Sequence, residues 1–301
     1  IQDFSDRKFE EKNFVRYGLK RGLKHQGEAG INPFKYGFIG GTDSHNGTPG
    51  NVEEDNYGVG SHGLTDQTAQ DRVANTIDGW ATAYDINPGS LAGVWAESNT
   101  REAIWDAMKR KETFATSGPR IKVRMFAGYD LQESYDSYES MVAAGTDQAI
   151  PMGGDLSKSK GESPKFLVWA MKDPIGPNLD RIQIIKGWVE NGEMKEKIYN
   201  VAVSDNREIN ADGSVSPLNA PVNLETGAFD ASQGSPELSV VWKDPDFDPG
   251  QQAFYYSRVI QLPTARWTLW DEIREGVAYP KSVAKTIQER AWGSPIWYNP
   301  N

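Results

Sequence analysis

Two side chains that can ligate a metal ion lie one residue apart in the stretch GFIGGTDSHNGTPG, which runs from Gly37 to Gly50. They are Asp43 and His45. A carboxylate and an imidazole both bind divalent cations, and the glycines around them allow close approach to the backbone. The pattern therefore indicates a metal site on a turn.

The same turn has other interpretations. An aspartate in a glycine-rich turn commonly caps backbone N–H groups, and a neighbouring histidine can simply be solvated. Ser44 could be a nucleophile, but the strand-to-helix G-x-S-x-G context and a third partner are missing. No lysine follows the glycines, which excludes a phosphate-binding loop.

Further candidate ligands come from the same end of the chain, because all three histidines fall within the first 62 residues. His62 lies on glycine-rich backbone, shortly after an acidic run that begins at Glu53. His25 lies near the end of a predicted helix, where a contact with the helix dipole is the better interpretation. The candidate metal ligands are Asp43, His45, Glu53 and His62.

The elements that must position this turn are a helix and a short strand. Apolar residues at near-helical spacing predict an amphipathic helix over residues 6–26, with Gly27 as its stop. The run Tyr36–Ile39 predicts a short strand that breaks at the following glycines. Asp43 would then lie just beyond the carboxyl end of a strand, a common place for sites in α/β folds.

A second helix is predicted in SNTREAIWDAMKRKE. Asn99 and Glu102 have the spacing of a capping box. Ile104, Trp105 and Met108 form an apolar stripe. We therefore expect a helix that begins directly after its cap.

From about Arg120 the sequence changes to short alternating runs separated by Gly, Pro, Asp and Asn. This texture predicts an antiparallel β-sandwich. Most of the ten tryptophans fall on alternating positions or on capped helices, which indicates that they belong to the core. From Pro263 the chain is expected to become irregular and helical again, with an amphipathic helix over residues 282–292. The fold class is therefore α/β plus all-β.

Composition excludes several classes of function. The chain has 301 residues, 38% of them hydrophobic, and a net charge of −10 that is dispersed along it, which argues against a nucleic-acid partner. Cysteine is absent, which excludes thiolate chemistry but no compartment. No apolar run approaches a membrane span. Because the first residue is Ile1, we expect a removed leader, with a periplasmic or secreted location, or a piece of a longer protein.

The segment DPDFDPG resembles a calcium-binding loop in the spacing of its aspartates. Asp244, Asp246 and Asp248 have the right spacing. Pro249 and Tyr255 occupy the positions that require glycine and glutamate, so an EF-hand is excluded, whereas another type of calcium site stays open.

Longer stretches carry a family resemblance. INPFKYGFIGGTDSHNG, VEEDNYG, ATSGPRIKVRMFAGYD, AFYYSRVIQLPTARW and TIQERAWGSPIWY resemble the carboxyl-terminal half of a bacterial family, domain of unknown function 3604. That family is similar to the polymerase and histidinol phosphatase (PHP) metallohydrolases. Their distorted (β/α) barrel binds two or three metal ions, and a late D-x-H element supplies two ligands. The resemblance implies a zinc, manganese or iron cofactor at Asp43 and His45.

The chain departs from that family because no H-x-H element occurs in it. We therefore expect a fragment that lacks part of the metal site and has the missing amino-terminal half or a second copy as its partner. Residues 1–119 would be the end of a PHP-like barrel, residues 120–261 an inserted β-sandwich, and residues 262–301 a tail that returns to the barrel.

The function expected from this resemblance is metal-dependent hydrolysis of a small anionic substrate, a phosphoester by analogy. Arg258 and Arg266 are the candidate substrate clamps, although surface ion pairs would also explain them. The alternative is a noncatalytic module whose sandwich binds a carbohydrate or a protein.

Overall fold

The computed structural model describes residues 10–43, 50–59, 68–74, 76–77, 81–156, 158–159 and 161–300. In this part of the chain, an eight-stranded and a four-stranded sheet share one apolar core. Helices pack on their outer faces. The result is a layered arrangement of helix, sheet, sheet and helix.

The described residues contain five α-helices and three short 3₁₀ turns. The helices are α1 (Val15–Ala29), α2 (Ala69–Ala74), α3 (Arg101–Lys109), α4 (Tyr138–Gln148) and α5 (Trp267–Glu275). The 3₁₀ turns are Glu11–Asn13, Glu54–Val59 and Ala83–Asp85.

The strands of the described residues follow in chain order. They are β1 (Thr76–Ile77), β2 (Ala81–Thr82), β3 (Leu91–Val94), β4 (Thr113–Thr116), β5 (Lys122–Gly128), β6 (Ile150–Pro151), β7 (Asp155–Leu156), β8 (Lys165–Met171), β9 (Leu179–Glu190), β10 (Glu193–Val203), β11 (Glu237–Lys243), β12 (Ala253–Gln261), β13 (Thr264–Ala265), β14 (Thr286–Ile287), β15 (Arg290–Gly293) and β16 (Ile296–Tyr298).

The large sheet has the order β10-β9-β12-β15-β4-β3, with β16 joining β12 to β7. The small sheet has the order β11-β8-β5-β6. Neighbours pair antiparallel in both sheets, except that β16 and β7 are parallel. The antiparallel strands predicted from Arg120 onward are therefore confirmed. Central strands such as β8 and β12 are buried on both faces, because the other sheet covers one face and a helix covers the other.

The core lies between the two sheets. Tyr255 and Val259 of β12 belong to one buried cluster with Met125 of β5 and Phe166 and Val168 of β8. Successive side chains of a strand point to opposite faces, so the residues between these core positions must meet another layer.

Helix α1 supplies that layer for the large sheet. Leu19 and Leu23, one helical turn apart, are buried against Ile185, Phe254 and Tyr256. On the other side of the molecule, α4 covers the small sheet by packing Met141 in a cluster that includes Phe126, Leu131, Leu167 and Trp169.

The predicted first helix is confirmed only from Val15 onward, since residues 11–13 form a 3₁₀ turn and Phe14 is extended. Gly27 does not end it. Helix α1 continues to Ala29 and stops at Gly30, which has a φ of 80° and donates its N–H to the carbonyl of Gln26 over 2.9 Å. Glycine adopts this left-handed conformation without steric cost, so Gly30 is the true C-terminal cap.

Helix α3 is also confirmed, with its cap one residue later than predicted. The Thr100 hydroxyl accepts the N–H of Ala103 over 3.3 Å, so Thr100 rather than Asn99 is the N-cap. The apolar stripe does not enter the core, because Trp105 is 61% and Met108 49% exposed.

Two predicted elements are wrong. Tyr36–Ile39 forms no strand and has no ladder partner among the described residues. Residues 282–292 contain β14 and the start of β15 instead of a helix, because the ladder with β12 captures this segment. The helix of the tail is α5, which lies earlier.

The expected PHP-like barrel is not confirmed, since the sheets of the described residues stay open and form no closed barrel. The large sheet takes strands from all three predicted segments: β3 and β4, then β7, β9, β10 and β12, then β15 and β16. The division at residues 119 and 261 stays a prediction about domains.

A buried ion pair connects β9, at the edge of the core, to the DPDFDPG loop, whose sequence resembles a calcium site. Lys186 of β9 donates to the carboxylate of Asp244 over 2.6 Å and to the carbonyl of Asp246 over 2.7 Å. The hydroxyl of Tyr255 donates to the same carboxylate over 2.7 Å. Asp244 therefore satisfies a buried ammonium group, which accounts for its place in the loop without a metal ion.

We predict that Asp244→Ala lowers the free energy of unfolding by about 3–5 kcal/mol, because it leaves the Lys186 ammonium buried without its counter-ion. Denaturant titration measures this loss. The matched control is Asp248→Ala in the same loop, since Asp248 is exposed and caps only Gly250. Equal, small losses in both variants would show that the ion pair is not a structural requirement.

Candidate functional site

The glycine-rich segment that leads to Asp43 lies in an extended conformation against the large sheet. The Phe38 N–H donates to the hydroxyl of Ser294 over 2.8 Å, and the Phe38 ring packs edge-on against Tyr256 at 5.3 Å between centroids. The carbonyl of Gly41 accepts the N–H of Ser90 over 3.2 Å. These contacts position the segment without a strand ladder.

Two glycines explain why the segment can lie so close to its neighbours. A Cβ at Gly40 would stand 2.6 Å from the carbonyl oxygen of Leu91, and one at Gly37 would stand 2.8 Å from the Cβ of Lys111. Neither position has room for a side chain, so glycine is required for packing at both. The sequence pattern favours an extended backbone here and therefore predicts a strand. It does not show whether another strand lies beside this backbone to pair with it.

Asp43 begins the predicted metal turn with a φ of 51°. Aspartate is one of the few non-glycine residues that adopt this left-handed conformation readily. The backbone before it is fixed, since a Cβ at Gly89 would lie 2.8 Å from the Cα of Thr42. His45, Ser44 and His62 lie outside the described residues, so their predicted roles stay predictions.

Glu53, the other predicted ligand, uses both carboxylate oxygens within the chain. Oε2 accepts the N–H of Val52 over 3.1 Å, and Oε1 accepts from Nη1 of Arg120 over 3.3 Å. In the described ranges no cluster of three or more His, Asp or Glu side chains could hold a metal ion. The metal set Asp43, His45, Glu53 and His62 therefore stays a prediction.

A groove of about 1030 Å³ runs between α1, the extended segment and the large sheet. Its cationic side chains are Lys12, Arg16, Arg21, Arg258 and Arg290, and aromatic side chains stand among them. Tyr36, Tyr256 and Trp292 are three of these. The whole chain has a net charge of −10, so its composition gives no indication of this local cluster of cationic side chains.

Two of these arginines have uncharged hydrogen-bond partners in the described part of the chain. Arg258 donates Nε to the side-chain oxygen of Gln183 over 2.8 Å, and Arg290 donates Nε to the carbonyl of Gln288 over 3.1 Å. Neither forms an ion pair with a described carboxylate. Burial lowers the pKa of Arg258, and the charges of Arg290, Arg16 and Arg181 lower it further. Positive charge is therefore concentrated at this end of the groove.

Arg266, the second predicted clamp, lies outside this groove. It donates to the carbonyls of Tyr84 and Ile86 over 2.7 and 2.9 Å, and its guanidinium stands over the Trp267 ring at 5.3 Å. Burial lowers its pKa, and Glu54 opposes that shift. The structure thus does not bring Arg258 and Arg266 together, and the role of each in binding substrate stays a prediction.

The structure contains a pair of buried carboxyl groups that the sequence did not predict. Glu54 and Glu289 approach each other, and burial followed by the charge of Glu289 raises the pKa of Glu54 to about 8. Burial also raises the pKa of Glu289. The Glu54 carboxylate accepts the N–H of Trp267 over 2.5 Å, and Glu289 accepts the hydroxyl of Ser117. Only the acidic run at residues 53–55 signalled this pair, because its second member is 235 residues away.

Comparison with known families matches residues 2–300 to the family described as "Protein of unknown function (DUF3604)". The chain belongs to this family. No curated protein and no solved structure matches the DUF3604 chain. In its described part, no helix has the length and apolar character needed to cross a bilayer.

We predict that the carboxyl pair makes folding of this DUF3604 chain sensitive to pH. The folded-state pKa of Glu54 lies above its usual value of 4.5, so ionisation favours the unfolded chain. Stability is complete below about pH 4.5 and falls as the pH rises toward 8, by roughly 1.4 kcal/mol for each unit of pKa shift.

Glu54→Gln should remove most of this decline, because the amide resembles the protonated carboxyl. Unfolding midpoints across this pH range measure the effect. Glu275→Gln, an exposed change of equal charge at the end of α5, is the control and should keep the wild-type slope. Parallel slopes for wild type and Glu54→Gln would contradict the assignment.

Proposed function

We propose that this DUF3604 chain is part of a metal-dependent hydrolase that acts on a small phosphoester-like anion. The observation that carries the proposal is the position of the arginine groove. The segment Gly37–Ile39 forms one of its walls, and the same segment leads directly to Asp43.

Chain geometry limits how far apart the two features can be. Ile39 lines the groove, and Asp43 follows it four positions later in the chain. Four residues span at most about 14 Å even when fully extended. A metal ion on the D-x-H turn would therefore lie near a groove whose cationic side chains favour a negatively charged ligand.

Some, but not all, of the predicted ligands could bind a divalent metal ion. Asp43 and His45 would hold it, whereas Glu53 is engaged with Arg120. The metal would supply a bound water of lowered pKa and would polarise the scissile group. The chain's own side chains would do the rest: Arg258 and Arg290 would bind non-bridging oxygens of the substrate, and Trp292 and Tyr256 would contact its apolar part.

The PHP likeness of the D-x-H element supports the same proposal, and Asp43 and His45 match its two ligands. A hydrolytic site needs roughly three protein ligands and an open position for water. His62 is a candidate third ligand. Since the sequence contains no H-x-H element, we propose that it corresponds to the carboxyl-terminal half of such an enzyme and that a further segment or partner completes the site.

A noncatalytic binding module is the second candidate, and the exposed stripe of α3 favours it. Trp105 and Met108 are the exposed apolar side chains there, and Lys109 stands over the Trp105 ring at 5.9 Å. A surface of this kind suits a protein partner. Metal content together with manganese- or zinc-dependent phosphoesterase activity in the complete protein would distinguish the hydrolase from the module.

We predict that the complete protein binds a divalent transition metal that is lost in both Asp43→Ala and His45→Ala. Removing one of few ligands weakens a metal site by orders of magnitude. Elemental analysis after dialysis against zinc or manganese measures the stoichiometry. Asp248→Ala, which removes an exposed aspartate elsewhere, should retain the metal. Unchanged stoichiometry in all three variants would refute the ligand assignment.

We also predict that the chain binds phenyl phosphate in the groove and that Arg258→Gln weakens this binding about tenfold or more, because a charge-assisted pair is lost. Calorimetry on the wild type and the variant measures the change. The control, Arg101→Gln, removes an exposed arginine from α3 and should leave the affinity unchanged. Equal affinities for Arg258→Gln and wild type would exclude Arg258 as a clamp.

A further inference from the structure

A second cavity, of about 160 Å³, lies away from the arginine groove. It is bounded by residues 52–55, by the loop that contains Gly118 and Arg120, by the turn 173–177 and by Trp270 of α5. The cavity shares no lining residue with the groove. Its ligand can therefore be inferred independently of the proposed hydrolase.

Carboxyl groups are the most frequent polar groups in the lining of this cavity. Its acidic residues are Glu53, Glu54, Asp55, Asp173 and Glu289. Its one cationic lining residue in the described part of the chain is Arg120, whose side chain is already paired with Glu53. Glu289 is only 2% exposed, so its carboxyl group faces the cavity and its packed walls rather than bulk water.

Two buried acceptor atoms at this cavity have no donor among the described residues. They are Oε1 of Glu54 and Oε1 of Gln261. Gln261 is 1% exposed, and its backbone N–H is bound to the carbonyl of Glu289 over 3.1 Å. The backbone of Gln261 is thus held beside Glu289, and a buried acceptor without a donor is costly to a folded protein.

Gly176 lies beside the side chain of Gln261. A Cβ at Gly176 would lie 3.6 Å from Oε1 of Gln261, and both residues line the cavity. The opposite walls are apolar, formed by Phe229 and Trp270 among others. The cavity therefore has an acceptor-rich, acidic part and an aromatic part, as in small-molecule sites that orient a ligand with few polar groups.

We propose that this cavity binds a small molecule carrying a primary ammonium group on a short apolar stem. An ammonium group has three donors and no acceptor, which matches two orphaned acceptors and the neighbouring Glu289. Its charge compensates the acidic lining, and the stem contacts Trp270 and Phe229. The small volume excludes large ligands.

Butylamine is a suitable probe, and 1-butanol is its neutral counterpart of similar size. We expect butylamine to bind the wild-type chain with saturation, to shift the NMR signal of the Trp270 indole, and to bind at least tenfold more tightly than 1-butanol. Calcium is tested in parallel. Equal binding of both organic probes, no saturable binding, or binding of calcium without binding of butylamine would overturn the proposal.

Three variants locate the site. Glu289→Gln removes one charge, and Gln261→Met removes one orphaned acceptor at similar size; each should weaken butylamine binding about tenfold. Glu275→Gln, an exposed change outside the cavity, should bind like the wild type. Near-UV circular dichroism confirms that each variant is folded. Wild-type affinity in both folded cavity variants would overturn the assignment.

Discussion

The alternation of side chains along β12 is the constraint on which the rest of the structure depends. Tyr255 and Val259 enter the core between the sheets, so Tyr256 and Arg258 must face the opposite layer. Helix α1 covers Tyr256 but leaves Arg258 beside the open groove. A shift of one residue in register would exchange these two sets and destroy core and groove together.

Cross-strand pairing extends this constraint to the other arginine. Arg258 is opposite Trp292 in the ladder, and Arg290 lies two residues before Trp292 on the same face. Their guanidinium groups are therefore neighbours as a consequence of sheet geometry. The glycine-rich segment then closes the groove, and the same backbone continues to Asp43. The core thus lies on one face of the large sheet, and the arginine groove and the segment that leads to Asp43 lie on the other.

Sequence patterns predicted the helices and strands whose apolar side chains repeat with a regular period. The strands around Lys165–Met171 and the helix α1 follow from alternation and from helical spacing. The extended segment at Tyr36–Ile39 was mistaken for a strand, because pairing depends on distant neighbours. The Glu54–Glu289 pair and the partners of Arg258 were missed for the same physical reason, since tertiary contacts between distant residues leave no periodic signal. The metal ligands rest on a motif alone.

The central claim is that the D-x-H turn and the arginine groove form one site. Paramagnetic relaxation of the phosphorus nucleus of phenyl phosphate tests it directly, because the effect of bound Mn²⁺ falls steeply with distance. We predict strong relaxation in the complete wild-type protein, which is lost in His45→Ala because Mn²⁺ is absent and is reduced in Arg258→Gln because less phenyl phosphate is bound. Relaxation that is weak in the wild type while both ligands are bound, or that persists in His45→Ala, would contradict the account.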